Sequence, residues 1–306
     1  MSAKRNIFKR YLNTSGASGG SVGPTNNSKN QRRHRWRPVD TDLSRRLATA
    51  TIGIPLLVLV IGWSPPWLFS WVFFLLTAAV LREYFAMAFP QRWQDQGIGI
   101  AFGIAVSCAV FLNEGLDSAA WLSAVLLIGF TTYLFTAGKL VERLNRLLFT
   151  LLGGFYIGYL FPQWVLLFRQ PHGRAWVFWV LLVVMAGDTV AYFVGRSFGT
   201  RKLAPEISPA KTVEGAWGYV AGAIGAGLIG APFLFEQILW PEIFGLSLAA
   251  SILGQIGDLF ESWIKRVFAV KDSGNLLPGH GGLLDRLDSL IFPAVFTTTY
   301  LRVFHS

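Results

Sequence analysis

Apolar residues in this chain come in runs of 15 to 22, separated by short polar loops. Runs of that length fit membrane-crossing helices better than the narrow apolar stripes of a soluble domain. Nine segments are expected. Leu47 to Trp63 and Trp67 to Leu81 form a hairpin about Ser64-Pro65-Pro66, followed by Gly97 to Leu112 and Ala119 to Phe135. Leu147 to Phe168, Ala175 to Val194, Gly215 to Phe235, Ile243 to Ile264 and Leu283 to Val303 complete the set. Most can cross a hydrocarbon core of about 30 Å, which takes roughly 20 residues; the second and third are short. The seventh is rich in glycine, which suits close helix packing in lipid. No internal repeat is visible. The pattern predicts an all-α, polytopic integral membrane protein with about nine transmembrane helices.

Composition agrees: of 306 residues 53% are hydrophobic and 14% charged, with a mean hydropathy of +0.46. The 12 Trp and 25 Phe suit aromatic anchoring at the two interfaces. The formal net charge of +10 suggests a polyanion partner until it is located. Residues 1–46 hold eleven Lys and Arg against two Asp, so the tail carries nearly all of it and the body is balanced. That tail, with the cluster RRHRWR at 32–37, is polar enough to be disordered. It reads as a topology signal held in the cytoplasm, an anionic-lipid-binding segment or a transit peptide, the first being favoured. No folded nucleic-acid motif accompanies the charge, so nucleic acid is not an expected partner. The single cysteine, Cys108, allows neither an intrachain disulfide nor a thiolate metal site and reads as buried filler.

Charge also sets orientation. With the N-terminus in the cytoplasm, thirteen Lys and Arg of the body fall on that side, and only Arg169, Arg174 and Arg302 on the other. The polar stretches 187–215 and 257–289 then reach the same, cytoplasmic, face. The expected organisation is a basic tail over 1–46, N-terminal transmembrane helices over 47–170 and a C-terminal transmembrane catalytic region over 171–306.

The second stretch, GDLFESWIKRVFAVKDSGNLLPGHGGLLDRLDS, is the densest in chemistry. Asp258, Ser262, Lys265 and Arg266 share one face of a helix, and Asp285 and Asp288, three apart, share a face of the next. Asp258, Asp285 and Asp288 are hard oxygen donors suited to Mg²⁺, which keeps several waters and shares phosphate oxygens. Lys265, Arg266, Lys271 and Arg286 can neutralise phosphate or simply anchor the loop on the cytoplasmic side; the two roles are compatible. His280, within PGHGG, either touches a phosphate or is a turn residue capping backbone. Asp188 sits in an apolar segment, where a carboxylate is costly, and is expected to face a cavity or a cation. Ser208 to Gly215, SPAKTVEG, reads as a turn leading into a helix whose hydroxyls, Lys211 and N-terminus can hold phosphate. GRSFG at 195–199 matches neither the Walker nor the dinucleotide pattern. The histidines are scattered, which leaves no zinc site, and no Ser/His/Asp or Cys/His arrangement offers a covalent route. Paired carboxylates with cations suit phosphoryl or nucleotidyl transfer.

Ser262-Trp-Ile-Lys265-Arg266, Lys271-Asp272, Gly274, Leu277-Pro278, His280-Gly281-Gly282 and Asp285-Arg286-Leu287-Asp288 together resemble the signature of phosphatidate cytidylyltransferases (CDP-diacylglycerol synthases). AGDTVAYFVGRSFG and SPAKTVEG resemble that family's second conserved block; the tail has no counterpart in the resemblance. The resemblance implies the reaction of CTP with phosphatidate to give CDP-diacylglycerol and diphosphate, with Mg²⁺. It further implies a homodimer among membrane lipids, in a bacterial cytoplasmic membrane, with a polar cavity facing the cytoplasm. Asp258 and Asp285 fall on the family's metal-binding carboxylates, and Asp288 on a supporting acid. Lys211, Lys265, Arg266 and Lys271 fall where phosphate is gripped, and Asp188 and Ser208 line the same pocket. The catalytic set so implied is Asp258, Lys265, Arg266, Asp285 and Asp288, with Asp188, Ser208, Lys211, Ser262, Lys271, His280 and Arg286 binding substrate. The alternatives are a CTP-dependent transferase acting on another lipid phosphate or lipid alcohol, a catalytically silent scaffold and a secondary transporter. Clustering of the acids at one face counts against the transporter.

Overall fold

A computed structural model of the protein describes residues 51, 53, 55–111, 117–274, 276 and 281–305. The basic tail and His280 lie outside the described residues, as does part of the first expected segment. Residues 55–63 are helical and end at Ser64-Pro65. Pro66 then opens α1 (Pro66–Ala88), a position where its missing N–H has no intrahelical partner to lose. α1 runs past the expected end at Leu81 because Glu83, Tyr84 and Phe85 are buried and the helix keeps a packing partner. α2 (Trp93–Phe111) begins early for a similar reason: Asp95 is buried and accepts from Arg146 Nη1 at 3.3 Å. Cys108 on α2 is half-buried, not fully buried as expected. α3 (Ser118–Phe135) is capped by Asp117, which accepts from the N–H groups of Ala119 and Ala120.

The expected segment 147–168 is broken in the structure. It consists of α4 (Leu140–Gly153), a π-helical turn (Gly154–Tyr159) and α5 (Gln163–Phe168). The break lets α2 approach at backbone contact: a Cβ on Gly158 would lie 2.5 Å from the carbonyl oxygen of Gly103. π-Helical turns tend to mark such special contacts. Next come α6 (Gly173–Phe198), β1 (Lys202–Ala204), β2 (Ser208–Thr212), α7 (Val213–Leu234), α8 (Trp240–Val267) and α9 (Leu284–Phe304). The stretch expected to be a turn before α7 is therefore the second strand of an antiparallel hairpin, Lys202 opposite Thr212 and Ala204 opposite Ser208. Thr212 ends that strand and caps α7, accepting from Gly215 N–H at 3.1 Å. α7 packs along α6 as its glycines allow, Gly218 and Gly222 seating the side chains of Val194 and Val190. Fully buried Trp179 ties the pair by donating from Nε1 to the Gly227 carbonyl at 3.3 Å.

Among the described residues, seven helical segments are long and apolar enough to cross a membrane, with Leu140–Phe168 counted as one. α9, which carries Asp285, Arg286, Asp288 and Arg302, is not one of the seven. Leu127, Ile128, Leu134 and Phe135 of α3 are exposed, an arrangement that suits lipid and not water. The protein is an integral membrane protein, all-helical among the described residues apart from the short β1–β2 hairpin.

Candidate active site

Gly254 and Gly257 lie one turn apart on α8 and face α9. A Cβ on Gly257 would sit 2.5 Å from the Asp288 carbonyl oxygen, and one on Gly254 3.3 Å from that of Ser289. The two backbones therefore touch, which sets Asp258 of α8 beside the first turns of α9. From α6, Asp188 joins them, its Oδ2 accepting from Ser289 Oγ at 3.4 Å. A cavity of about 440 Å³ opens among these helix ends, lined by Asp188, Asp258, Lys265, Asp285, Arg286 and Asp288 together with Asp272 and Ser289. A second cavity, also about 440 Å³, shares Asp188 and Asp258. It passes between α6, the hairpin and α7, by Lys211, Tyr219, Ala216, Leu203 and Tyr192. A third cavity, of about 410 Å³ and lined by residues such as His172, Glu242 and His305, lies at the opposite ends of the helices and shares nothing with these two.

Asp188, Asp258, Asp285 and Asp288 each have a definite partner. Lys211 Nζ lies 2.5 Å from Asp258 Oδ2, which ties the hairpin to α8, and Ser262 Oγ donates to Asp258 Oδ1 at 3.4 Å. Lys265 Nζ sits between two acids, 2.5 Å from Glu261 Oε2 and 2.7 Å from Asp285 Oδ1. Glu261 is wholly buried, so the ammonium is its counter-charge. Asp285 also accepts from the N–H groups of Ser273 and Gly282, each at 3.0 Å to Oδ2. It thereby holds together the two stems of the loop between α8 and α9. Asp288 is buried and accepts from its neighbour's N–H, Ser289, at 2.7 Å.

Of the residues singled out in the sequence, Asp188, Lys211, Asp258, Lys265, Asp285, Arg286 and Asp288 line one or both cavities, and Ser262 supports Asp258. Ser208, Arg266 and Lys271 line neither. Arg266 instead donates from Nε to the Ile207 carbonyl at 3.1 Å, fastening the end of α8 to the hairpin. Sequence reasoning missed Glu83, Ser273, Tyr219 and Ser289, and gave Glu261 no role. Glu83 and Glu261 carried a signal, each being an ionisable group within a helix that is otherwise mostly apolar; the others look like ordinary helix and loop residues.

Among the described residues, no three His, Cys, Asp or Glu side chains are grouped so as to hold a metal ion by themselves. The donors around the polar cavity are carboxylate oxygens. They fit a hard cation that completes its shell with water and phosphate, and not a caged one.

Comparison with known sequences bears directly on this geometry. A model described as the cytidylyltransferase family matches residues 44–304. The chain belongs to that family. A phosphatidate cytidylyltransferase of Bacillus subtilis is 44% identical over 160 residues, which is 51% of this chain and 58% of that protein. The chain thus spans a little over half the length of that relative. One of Brucella abortus is 39% identical over 233 residues, 68% of this chain and 86% of the relative. One of Staphylococcus epidermidis is 33% identical over 226 residues, covering 72% and 84%. The match to the family includes every helix that lines the two cavities.

Proposed function

We propose that the protein is a nucleotidyltransferase that joins CTP and phosphatidate to give CDP-diacylglycerol and diphosphate. The observation that carries this is the pair of cavities meeting at Asp188 and Asp258, one walled by carboxylates and cations, the other with a mostly apolar surface that also includes Arg196, Lys211, Thr212 and Gln255. Such a pairing suits a triphosphate on one side and a lipid on the other. Similarity to relatives named phosphatidate cytidylyltransferase supports the same reaction.

In this reading a phosphatidate phosphate oxygen attacks the α-phosphorus of CTP. A new P–O bond forms, the bond from the α-phosphorus to the bridging oxygen breaks, and diphosphate leaves with the electron pair. The nucleophile is already an anion, so positioning and charge neutralisation supply most of the catalysis. Lys211 and Lys265, each now paired with a carboxylate, would hold the phosphates, with Arg286 also lining the polar cavity. Arg266 and Lys271 would act on approach, since neither lines a cavity. Mg²⁺ is the proposed cofactor, held by Asp258 and Asp285 with Asp288 beside them, and when bound it would supply Lewis-acid neutralisation of the triphosphate. Nine transmembrane helices, a cavity facing the cytoplasm, residence in a bacterial cytoplasmic membrane and a homodimer belong to the same proposal. They are supported by the basic residues of the body and by the resemblance in sequence.

The test is an assay of purified protein with radiolabelled CTP, Mg²⁺ and a panel of lipid phosphates and lipid alcohols. Labelled CDP-diacylglycerol from phosphatidate alone is expected, abolished by chelation and restored by Mg²⁺. Label entering another lipid, or γ-phosphate transfer to an alcohol, would replace this reading with the alternative transferase.

A further inference from the structure

Glu83 stands on α1, in the half of the chain that carries none of the residues discussed above as reacting groups. Its side chain is buried, with 7% of the residue exposed. It nevertheless reaches the active-site loop. Glu83 Oε2 accepts from the backbone N–H of Leu284 at 2.9 Å and from Ser273 Oγ at 3.3 Å. Its other oxygen, Oε1, has no hydrogen-bond partner among the described residues.

Leu284 is the first residue of α9, and the residue before it, Leu283, has no side-chain oxygen with which to cap the helix. Glu83 supplies that cap from a distant helix, and its charge lies where the α9 dipole favours an anion. Ser273, on the opposite stem of the loop, donates its backbone N–H to Asp285 and its hydroxyl to Glu83. The same two stems are therefore held by two carboxylates, Asp285 from within α9 and Glu83 from α1. Space around the clamp is tight. A Cβ on Gly274 would meet Glu83 Oε1 at 2.8 Å, and one on Gly282 would overlap Ser273 Oγ. Burying a carboxylate with one oxygen unpartnered is costly, and an apolar residue would fill the site at less cost if packing were the only requirement.

We infer that Glu83 is a positioning residue for the cytidylyltransfer reaction. By capping α9 and holding Ser273 it fixes where Asp285, and the Lys265 ammonium paired with it, face the polar cavity. The inference rests on the proposed function for its kinetic consequence, but not for its structural one. An unoriented Asp285 would slow the chemical step without changing the lipid contacts made near the hairpin. It follows that kcat is the affected constant, and KM for phosphatidate is not.

The experiment compares the full-length protein with Glu83→Ala, Glu83→Gln and Ser273→Ala, purified in detergent. Turnover, KM for each substrate, Tm and hydrogen exchange of amides 273–284 are measured together. Glu83→Ala is expected to lower kcat about ten- to a hundredfold, the range seen when a group that orients a ligand is removed. KM for phosphatidate should hold, and exchange at the Leu284 amide should quicken. Glu83→Gln, whose amide oxygen still accepts both bonds, should recover most of the rate and the protection. A purely structural role would lower Tm while leaving kcat per folded molecule unchanged, and that result overturns the inference. So does slower turnover with unchanged exchange at 273–284. If Glu83→Ala does not fold, Ser273→Ala decides. Slower turnover with faster loop exchange supports the clamp, and wild-type behaviour in both removes it. Should the wild-type protein make no CDP-diacylglycerol, the proposed function fails, while the exchange data still judge the clamp.

Discussion

Lys265 shows most plainly how one side chain links stability to chemistry here. Its ammonium is the shared counter-charge of Glu261, which is wholly buried, and Asp285. Removing one partner of a buried ion pair leaves an uncompensated charge and costs about 3–5 kcal/mol. Lys265→Met should therefore lower Tm markedly and abolish turnover. Adding Glu261→Gln removes one stranded charge, so the double variant should regain part of the Tm but none of the turnover, because Asp285 still lacks its cation. Thermal unfolding in detergent and the CTP assay read the two effects separately. Recovery of turnover in the double variant would show that Lys265 serves only to stabilise. Asp285→Asn is the companion case. Its amide nitrogen would face Lys265 or a backbone N–H, so turnover should fall by at least about a hundredfold, as when a preorganised electrostatic group is lost. Near-normal turnover in the lipid assay would remove Asp285 from the proposed metal set.

Among elements, the seam between α8 and α9 decides whether the aspartates meet. Gly257 has no room for a methyl group beside the Asp288 carbonyl oxygen, which is backbone and cannot rotate away. Gly257→Ala should push the helices apart, with an overpacking cost of about 1–3 kcal/mol. Turnover should suffer more than Tm, since Asp258 and Asp288 move with their backbones. Unchanged kinetics would mean that the seam does not set the site. The hairpin is the second such element. Thr212→Val keeps the shape of the strand but deletes the oxygen that accepts from Gly215 N–H, and losing a helix cap costs about 0.5–2 kcal/mol. A lower Tm with a raised KM for phosphatidate is expected, as Lys211 next to Thr212 loses its fixed approach to Asp258. A shift in KM for CTP alone would assign the hairpin to the nucleotide instead.

For the whole molecule, the carboxylate cavity and the cavity near His172 lie at opposite ends of the helices, so the proposed orientation is open to direct test. In a Cys108→Ser background, Gln237→Cys should react with an impermeant maleimide from outside intact cells. Lys271→Cys should react only once the inner face is exposed; the reverse pattern would invert the protein. Much of this was legible in the chain. Long apolar runs demand helices because no backbone group can go unpaired in hydrocarbon, and the acids and cations of 257–289 stood out from that background as candidates for phosphate chemistry, with anchoring of the loop as the other use of Lys265, Lys271 and Arg286. The sequence alone thus determined the membrane class, nearly all the helices and the convergence of residues 187–215 and 257–289, since these depend on local periodicity and on the charge of each loop. Other features depended on contacts between distant segments: the π-helical break against Gly103, the hairpin before α7, the departure of Arg266 from the cavity and the reach of Glu83 to Leu284. Only tertiary structure could decide those, because a hydrogen bond or a steric fit between residues as far apart as 83 and 284 leaves no period in the sequence to read.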